Sequence, residues 1–130
     1  MSGVAVVDSC VALKWFIDQE DSELALAVLD AWEADGTQPI APPTFRYELG
    51  NVLMEYTSPI NLREVEGPID LTLATSAIEA ALETVQIYGD ARLIHDATAL
   101  CIRWERRSLY GMLFVALAQR EKATMWTADE

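Results

Sequence analysis

A short run of small and β-branched apolar residues, Val4-Ala5-Val6-Val7, opens the chain and stops at an acid, Asp8. Such a run reads as a strand buried in a parallel sheet. A parallel strand delivers the residue at its C-terminal end to the sheet edge where α/β folds bind ligands. The first strand therefore sets the fold class and puts Asp8 at a working position. A parallel partner strand needs a long crossover, usually helical, so the following residues must supply helices and further strands.

They do. Ser9 is the expected cap of a helix reaching about Phe16, with Trp15 and Phe16 at its end as core or interface. Asp21 or Ser22 caps a second helix, with Asp21 and Glu23 suited to its positive end. Its apolar face is Leu24, Ala27, Val28, Ala31 and Trp32, and Gly36 ends it. Gln38 to Ala41 reads as a second strand, closed by Pro42-Pro43. A helix then runs from near Pro43 to about Tyr56, with Phe45, Leu49, Val52, Leu53 and Tyr56 inward and Glu48 beside that stripe. Ser58-Pro59 and Gly67-Pro68 are breaks, Asn61 caps a turn between them, and a longer helix reaches about Thr84. Val85 to Tyr88 is a third strand. Asp90 caps a helix to about Arg106 with Leu93, Ala97, Leu100, Cys101 and Trp104 on one face, and Arg103, Arg106 and Arg107 at its negative end. Ser108 starts a helix from Leu109 to Arg120, apolar nearly all round and so expected to be buried. Thr124 to Trp126 is a fourth strand. Strands alternating with helices predict an α/β fold with a parallel sheet and right-handed crossovers.

Bulk properties narrow the function classes. The 130 residues suit one domain, 52% of them are hydrophobic, and no apolar run approaches a membrane span. The opening has no secretory pattern, and Cys10 and Cys101 are too few and too irregular for a disulfide framework or a zinc site. A cytoplasmic, reduced protein with no membrane partner is expected, and Cys10 is read as a small buried residue. The formal net charge of −12 disfavours generic nucleic-acid binding. Either some of the acids gather where a divalent cation neutralises them, or the surface is simply acidic.

Asp8 and Asp129 each follow a strand, so the two ends of the chain can meet at one sheet edge. Glu48, early on the helix after the second strand, opens onto the same edge. Carboxylates gathered there must share protons or hold a cation. Oxygen donors without His or Cys select Mg²⁺ or Mn²⁺, which suits phosphodiester hydrolysis. Taken singly, each acid has a plainer role: Asp8 as a helix cap, Glu48 as a first-turn acid, Asp129 as an exposed turn residue. Asp18, Glu20, Asp35, Glu64, Glu66 and Glu79 read as solvated surface, as does Asp96, and His95 is assigned no catalytic part. A phosphoryl-transfer enzyme with Asp8 as nucleophile would want a second Asp two residues on, where Cys10 stands.

Four blocks carry a family resemblance. V-V-D-S-C-V-A-L-K-W-F at Val6 to Phe16, A-P-P-T-F-R-Y-E-L-G-N-V-L at Ala41 to Leu53, L-Y-G-M-L-F-V-A-L-A at Leu109 to Ala118 and W-T-A-D-E at Trp126 to Glu130 resemble, in order, PIN domains of the VapC-like toxin ribonucleases. The resemblance covers essentially the whole chain, 1–130, as one PIN-like domain. It implies a three-layer α/β/α sandwich with a parallel sheet of four or five strands. It also implies Mg²⁺- or Mn²⁺-dependent endoribonuclease activity on RNA, a homodimer, and a cognate antitoxin as partner in a toxin–antitoxin system. By position, Asp8, Glu48 and Asp129 match the family's metal-site acids and are the expected catalytic and metal-binding residues. Asn51 matches an Asn one helical turn beyond the Glu, and Thr127 a small hydroxyl near the site.

Three departures stand out. Tyr110-Gly111 stands where the family usually has Tyr-Asp, so the third acid is missing at Gly111 and impaired activity is expected. Cys10 replaces a small hydroxyl or amide. The chain stops just after Asp129, where the family normally continues with a helix and often a strand. Glu130 or Asp96 could move towards the gap, although the motif matches neither. The departures leave three origins open: a natural degenerate member, an engineered or spontaneous loss of a toxic activity, and a compensated active enzyme. They also keep a second reading alive, a catalytically silent PIN-like module that binds a partner protein.

Overall fold

The computed structural model describes residues 3–57, 71–106 and 108–127. The expected breaks at Ser58-Pro59 and Gly67-Pro68, the Asn61 cap, Glu64, Glu66, Arg107, Asp129 and Glu130 lie outside the described residues. Among the described residues four strands form: β1 (Val4–Val7), β2 (Gln38–Ala41), β3 (Gln86–Ile87) and β4 (Thr124–Trp126). They pair in parallel in the order β3-β2-β1-β4. Among the described residues there are six helices: α1 (Ser9–Lys14), α2 (Ser22–Asp35), α3 (Phe45–Thr57), α4 (Leu71–Thr84), α5 (Ala91–Arg103) and α6 (Leu109–Glu121). The α/β class and the parallel sheet are as the sequence predicts, with four strands. No helix among the described residues is long and apolar enough to cross a membrane.

Strand order and crossover handedness together fix where a site can form. The chain steps from β1 to β2 to β3 in one direction, then returns past β2 and β1 to β4. Right-handed crossovers therefore put α1 to α4 on one face and α5 and α6 on the other. The packing agrees. Helix α1 touches α2, α3 and α4, while α5 and α6 pack together and α6 lies on β1 and β4. This arrangement is compatible with three layers. Strands β1 and β4 are neighbours, the connection out of β1 running on one face and the connection into β4 on the other, and beyond their C-terminal ends lies the crevice where open parallel sheets bind ligands.

The core fills both faces of β1. Val6 and Val7 are fully buried, and so are Leu13, Ile40, Phe45, Leu49 and Leu117. Several local expectations shift. The cap of α1 is Asp8 rather than Ser9, because Asp8 is still extended and its Oδ1 accepts from the Val11 N–H at 2.9 Å. Helix α1 ends at Lys14, short of Phe16. Asp21 holds the N-cap position of α2 in a left-handed conformation without a side-chain bond, and the Ser22 hydroxyl donates to the Ile17 carbonyl instead. Helix α2 turns Ala25 and Trp32 inward and leaves Leu24, Ala27 and Ala31 exposed. The reason is aromatic: Trp32 packs edge-on against both Trp15 and Trp126, and the Trp15 indole N–H donates to the Ala25 carbonyl at 3.0 Å. Trp104 ends α5 as its C-cap and is exposed, so it does not continue the buried face. Helix α6 is not buried all round: Leu113, Phe114, Ala116 and Leu117 face the core while Tyr110 and Gly111 are exposed.

Asp90 caps α5 as expected, its Oδ1 accepting from the Leu93 N–H at 3.1 Å and pairing with Arg120 of α6 at 3.1 Å. The Leu93 amide, and secondarily the Arg120 guanidinium, hold its carboxyl below the ordinary value of 3.8. An acid depressed in the folded state stabilises the fold above its unfolded pKa, and that contribution is lost as the pH falls through the folded value. The urea midpoint of Asp90→Ala is therefore expected to lie below that of the wild type at neutral pH, with the gap narrowing as the pH drops under 3.8. Parallel midpoints across that range would refute this role for Asp90.

Candidate functional site

The side chains at the crevice come from four elements. Asp8 ends β1 and is buried, with 6% of its surface exposed. Its backbone N–H donates to the Trp126 carbonyl at 3.2 Å, tying the ends of β1 and β4 together. Its carboxylate is held at both oxygens: Oδ1 caps α1 through Val11, and Oδ2 accepts from the hydroxyl of Thr127, just past β4. One acid thus joins the strand end, the helix start and the neighbouring strand. A side chain fixed in this way keeps one orientation, which is what an ion or substrate site requires.

Asp8 opens into a cavity of about 390 Å³. Ser9 and Cys10 line it from α1, Glu48, Asn51 and Val52 from α3, Gly111 to Val115 in part from α6, and Met125 and Thr127 from β4. Glu48 is half-buried and Asn51 exposed, one turn apart on α3. The fold sends α3 and α6 to opposite faces of the sheet, and their first turns close the crevice from both sides. Phe45 and Leu49, wholly buried, anchor α3 so that Glu48 between them looks into the cavity.

Asp8, Glu48, Asn51, Gly111 and Thr127 line one cavity. Asp129 lies outside the described residues. Among the described residues no three Asp, Glu, His or Cys side chains gather as a metal would need them to. Two carboxylates nevertheless share the cavity, and no Lys or Arg is among the described residues that line it. That donor set, hard oxygens with two negative charges, fits Mg²⁺ or Mn²⁺, which are commonly held by one or two carboxylates and several waters.

Gly111 is exposed in the first turn of α6, and a Cβ built there would meet nothing within 4 Å. Open space sits where a third acid would project. Asp96 does not fill it, since its carboxylate pairs with Arg120 at 3.5 Å. Cys10 is buried and lines the cavity, as its position two residues after Asp8 allows. Trp15 belongs to the core rather than to a surface, and Phe16 is partly buried against it.

Sequence reasoning missed the neighbouring wall. Tyr47 of α3 and Tyr110 of α6 line a second cavity of about 380 Å³ together with Thr44, Glu48 and Asn51. Glu48 and Asn51 therefore belong to both cavities. Tyr47 could have been found as an aromatic residue off the Phe45–Leu49–Val52 stripe. The chain matches no model of a known protein family, and no curated protein matches it.

Proposed function

We propose that the chain is a VapC-like PIN-domain endoribonuclease that hydrolyses RNA phosphodiesters with Mg²⁺ or Mn²⁺, and that its activity is impaired at Gly111. The observation that carries this reading is the cavity at the β1–β4 crevice, where Asp8, Glu48, Asn51 and Thr127 converge from distant parts of the sequence. The resemblance of four ordered sequence blocks supports it. Asp8 and Glu48 would hold the cation, with Asp129 as a further acid. The cation supplies charge compensation for the phosphate and a lowered pKa for water. Asp8 keeps its orientation through Val11 and Thr127. As the alternative to holding the cation, Glu48 orients the attacking water and accepts its proton. Asn51 offers an amide to a phosphate or a water. The wall at Gly111 contributes neither charge nor ligand.

The test is isothermal titration with Mn²⁺ beside an RNA-cleavage assay, on the wild type and on Glu48→Gln. The wild type is expected to bind Mn²⁺ weakly and cleave slowly. Glu48→Gln is expected to lose both, and EDTA to stop cleavage. An unchanged Glu48→Gln would sink the assignment.

The bare wall at Gly111 favours a second reading, a catalytically silent PIN-like module that binds a partner protein such as an antitoxin. The net charge of −12 suits a basic partner. That reading predicts a stable complex with a basic chain and no cleavage with any divalent cation. A homodimer is compatible with either reading.

A further inference from the structure

Two tyrosines stand beside the candidate site with most of their surface in solvent: Tyr47 is 80% exposed and Tyr110 62%. They come from α3 and α6, the two helices that close the crevice. Both line the second cavity, which joins the acidic one through Glu48 and Asn51. We propose that Tyr47 and Tyr110 hold an unpaired base of the RNA strand next to the phosphate to be cleaved. This rests on the ribonuclease reading and adds two substrate-positioning residues to it.

Charge makes the assignment specific. No Lys or Arg is among the described residues that line either cavity, so a strand bound there releases few counterions. Affinity for a strand must then come from uncharged contacts. Stacking on aromatic rings is the main one available to single-stranded RNA, and it tolerates any base because every base has a π-face. A ring from each side of the mouth provides such a platform, and the Asn51 amide, at the boundary of the two cavities, can meet a base edge or the adjoining phosphate.

Fluorescence anisotropy with a labelled short oligoadenylate in Ca²⁺ buffer tests this, with cleavage of the same oligonucleotide followed in parallel in Mn²⁺ buffer. Tyr47→Ala and Tyr110→Ala are each expected to weaken binding about tenfold or more, the scale of one lost stacking contact. Tyr47→Phe and Tyr110→Phe keep the ring and should bind within about twofold of the wild type. An abasic backbone of the same length should bind as poorly as the double alanine variant, and wild-type affinity should change little with salt. The proposal is overturned if the wild type does not bind, if the alanine variants bind like the wild type, if the phenylalanine variants fail with them, or if the abasic strand binds equally. Tyrosine-dependent binding by a chain that neither takes up Mn²⁺ nor cleaves, even as Gly111→Asp, would remove the ribonuclease reading and leave the base platform. Cleavage with no tyrosine dependence would do the reverse.

Discussion

Gly111→Asp is expected to tighten Mn²⁺ binding about ten- to hundredfold, the scale on which metal affinity responds to a group beside its ligands, and to raise metal-dependent RNA cleavage with it. The substitution needs no rearrangement, because a Cβ at this position meets nothing within 4 Å. The new carboxylate would enter the cavity that Asp8 and Glu48 already line. Without metal, three opposing effects keep the stability change small. Replacing a helical Gly gains roughly 0.5–1 kcal/mol, and an acid in the first turn of a helix gains about 0.3–1 kcal/mol. Repulsion from the two existing carboxylates works against both. With Mn²⁺ present that repulsion becomes attraction, so added Mn²⁺ should raise the melting temperature of the variant more than that of the wild type. Gly111→Asn is the control, with the same shape and no charge. Titration, thermal melts and cleavage on the three proteins decide the matter. If the Asp and Asn variants behave alike, the missing acid is not what limits the site.

Phe45→Ala is expected to cost about 3–5 kcal/mol of folding stability, the usual range for deleting a buried aromatic side chain. Phe45 is wholly buried in the first turn of α3, within the main core cluster. Such a loss is a large share of a typical total of about 5–15 kcal/mol. It should reach the site as well, since α3 carries Glu48 and Asn51. Tyr47 supplies the contrast. It is another large aromatic residue two positions along the same helix, but it is 80% exposed, so Tyr47→Ala should shift stability by no more than about 0.5 kcal/mol. Urea unfolding of both variants measures the difference. Equal costs would mean that the two side chains are not distinguished by burial.

The candidate site was legible in part. Asp8 could be placed at a strand end because a β-branched run stopping at an acid has few other uses in an α/β chain. Glu48 could be placed beside an inward stripe because Phe45, Leu49, Val52 and Leu53 repeat at helical spacing, and all four are buried. The Thr127 bond to Asp8 was not legible. It depends on β4 lying next to β1, and strand order leaves no local mark on a sequence. The faces of α2 and α6 were read only in part, for a related reason: on α2, Trp32 and Val28 face the core while Leu24, Ala27 and Ala31 do not. Both helices are rich in apolar residues around their circumference, so periodicity cannot pick the inward side. Trp32, set between Trp15 and Trp126, decides it for α2. The crevice decides it for α6, whose first turn stands at the mouth of the cavity.

The sequence by itself determined the α/β class, the strands and most helix positions, because spacing of apolar residues and capping chemistry act over a few residues. It also determined that acids follow the ends of strands, and that Gly111 brings no acid. Only the tertiary structure decided the strand order β3-β2-β1-β4, and with it the crevice between β1 and β4. That order made Asp8, already the local cap of α1, the acceptor of the Thr127 hydroxyl as well, and it brought Tyr110 into one cavity with Tyr47 and Glu48. The physical reason is range. Capping and periodicity are local, whereas strand order and helix orientation are settled by which distant surfaces bury one another best.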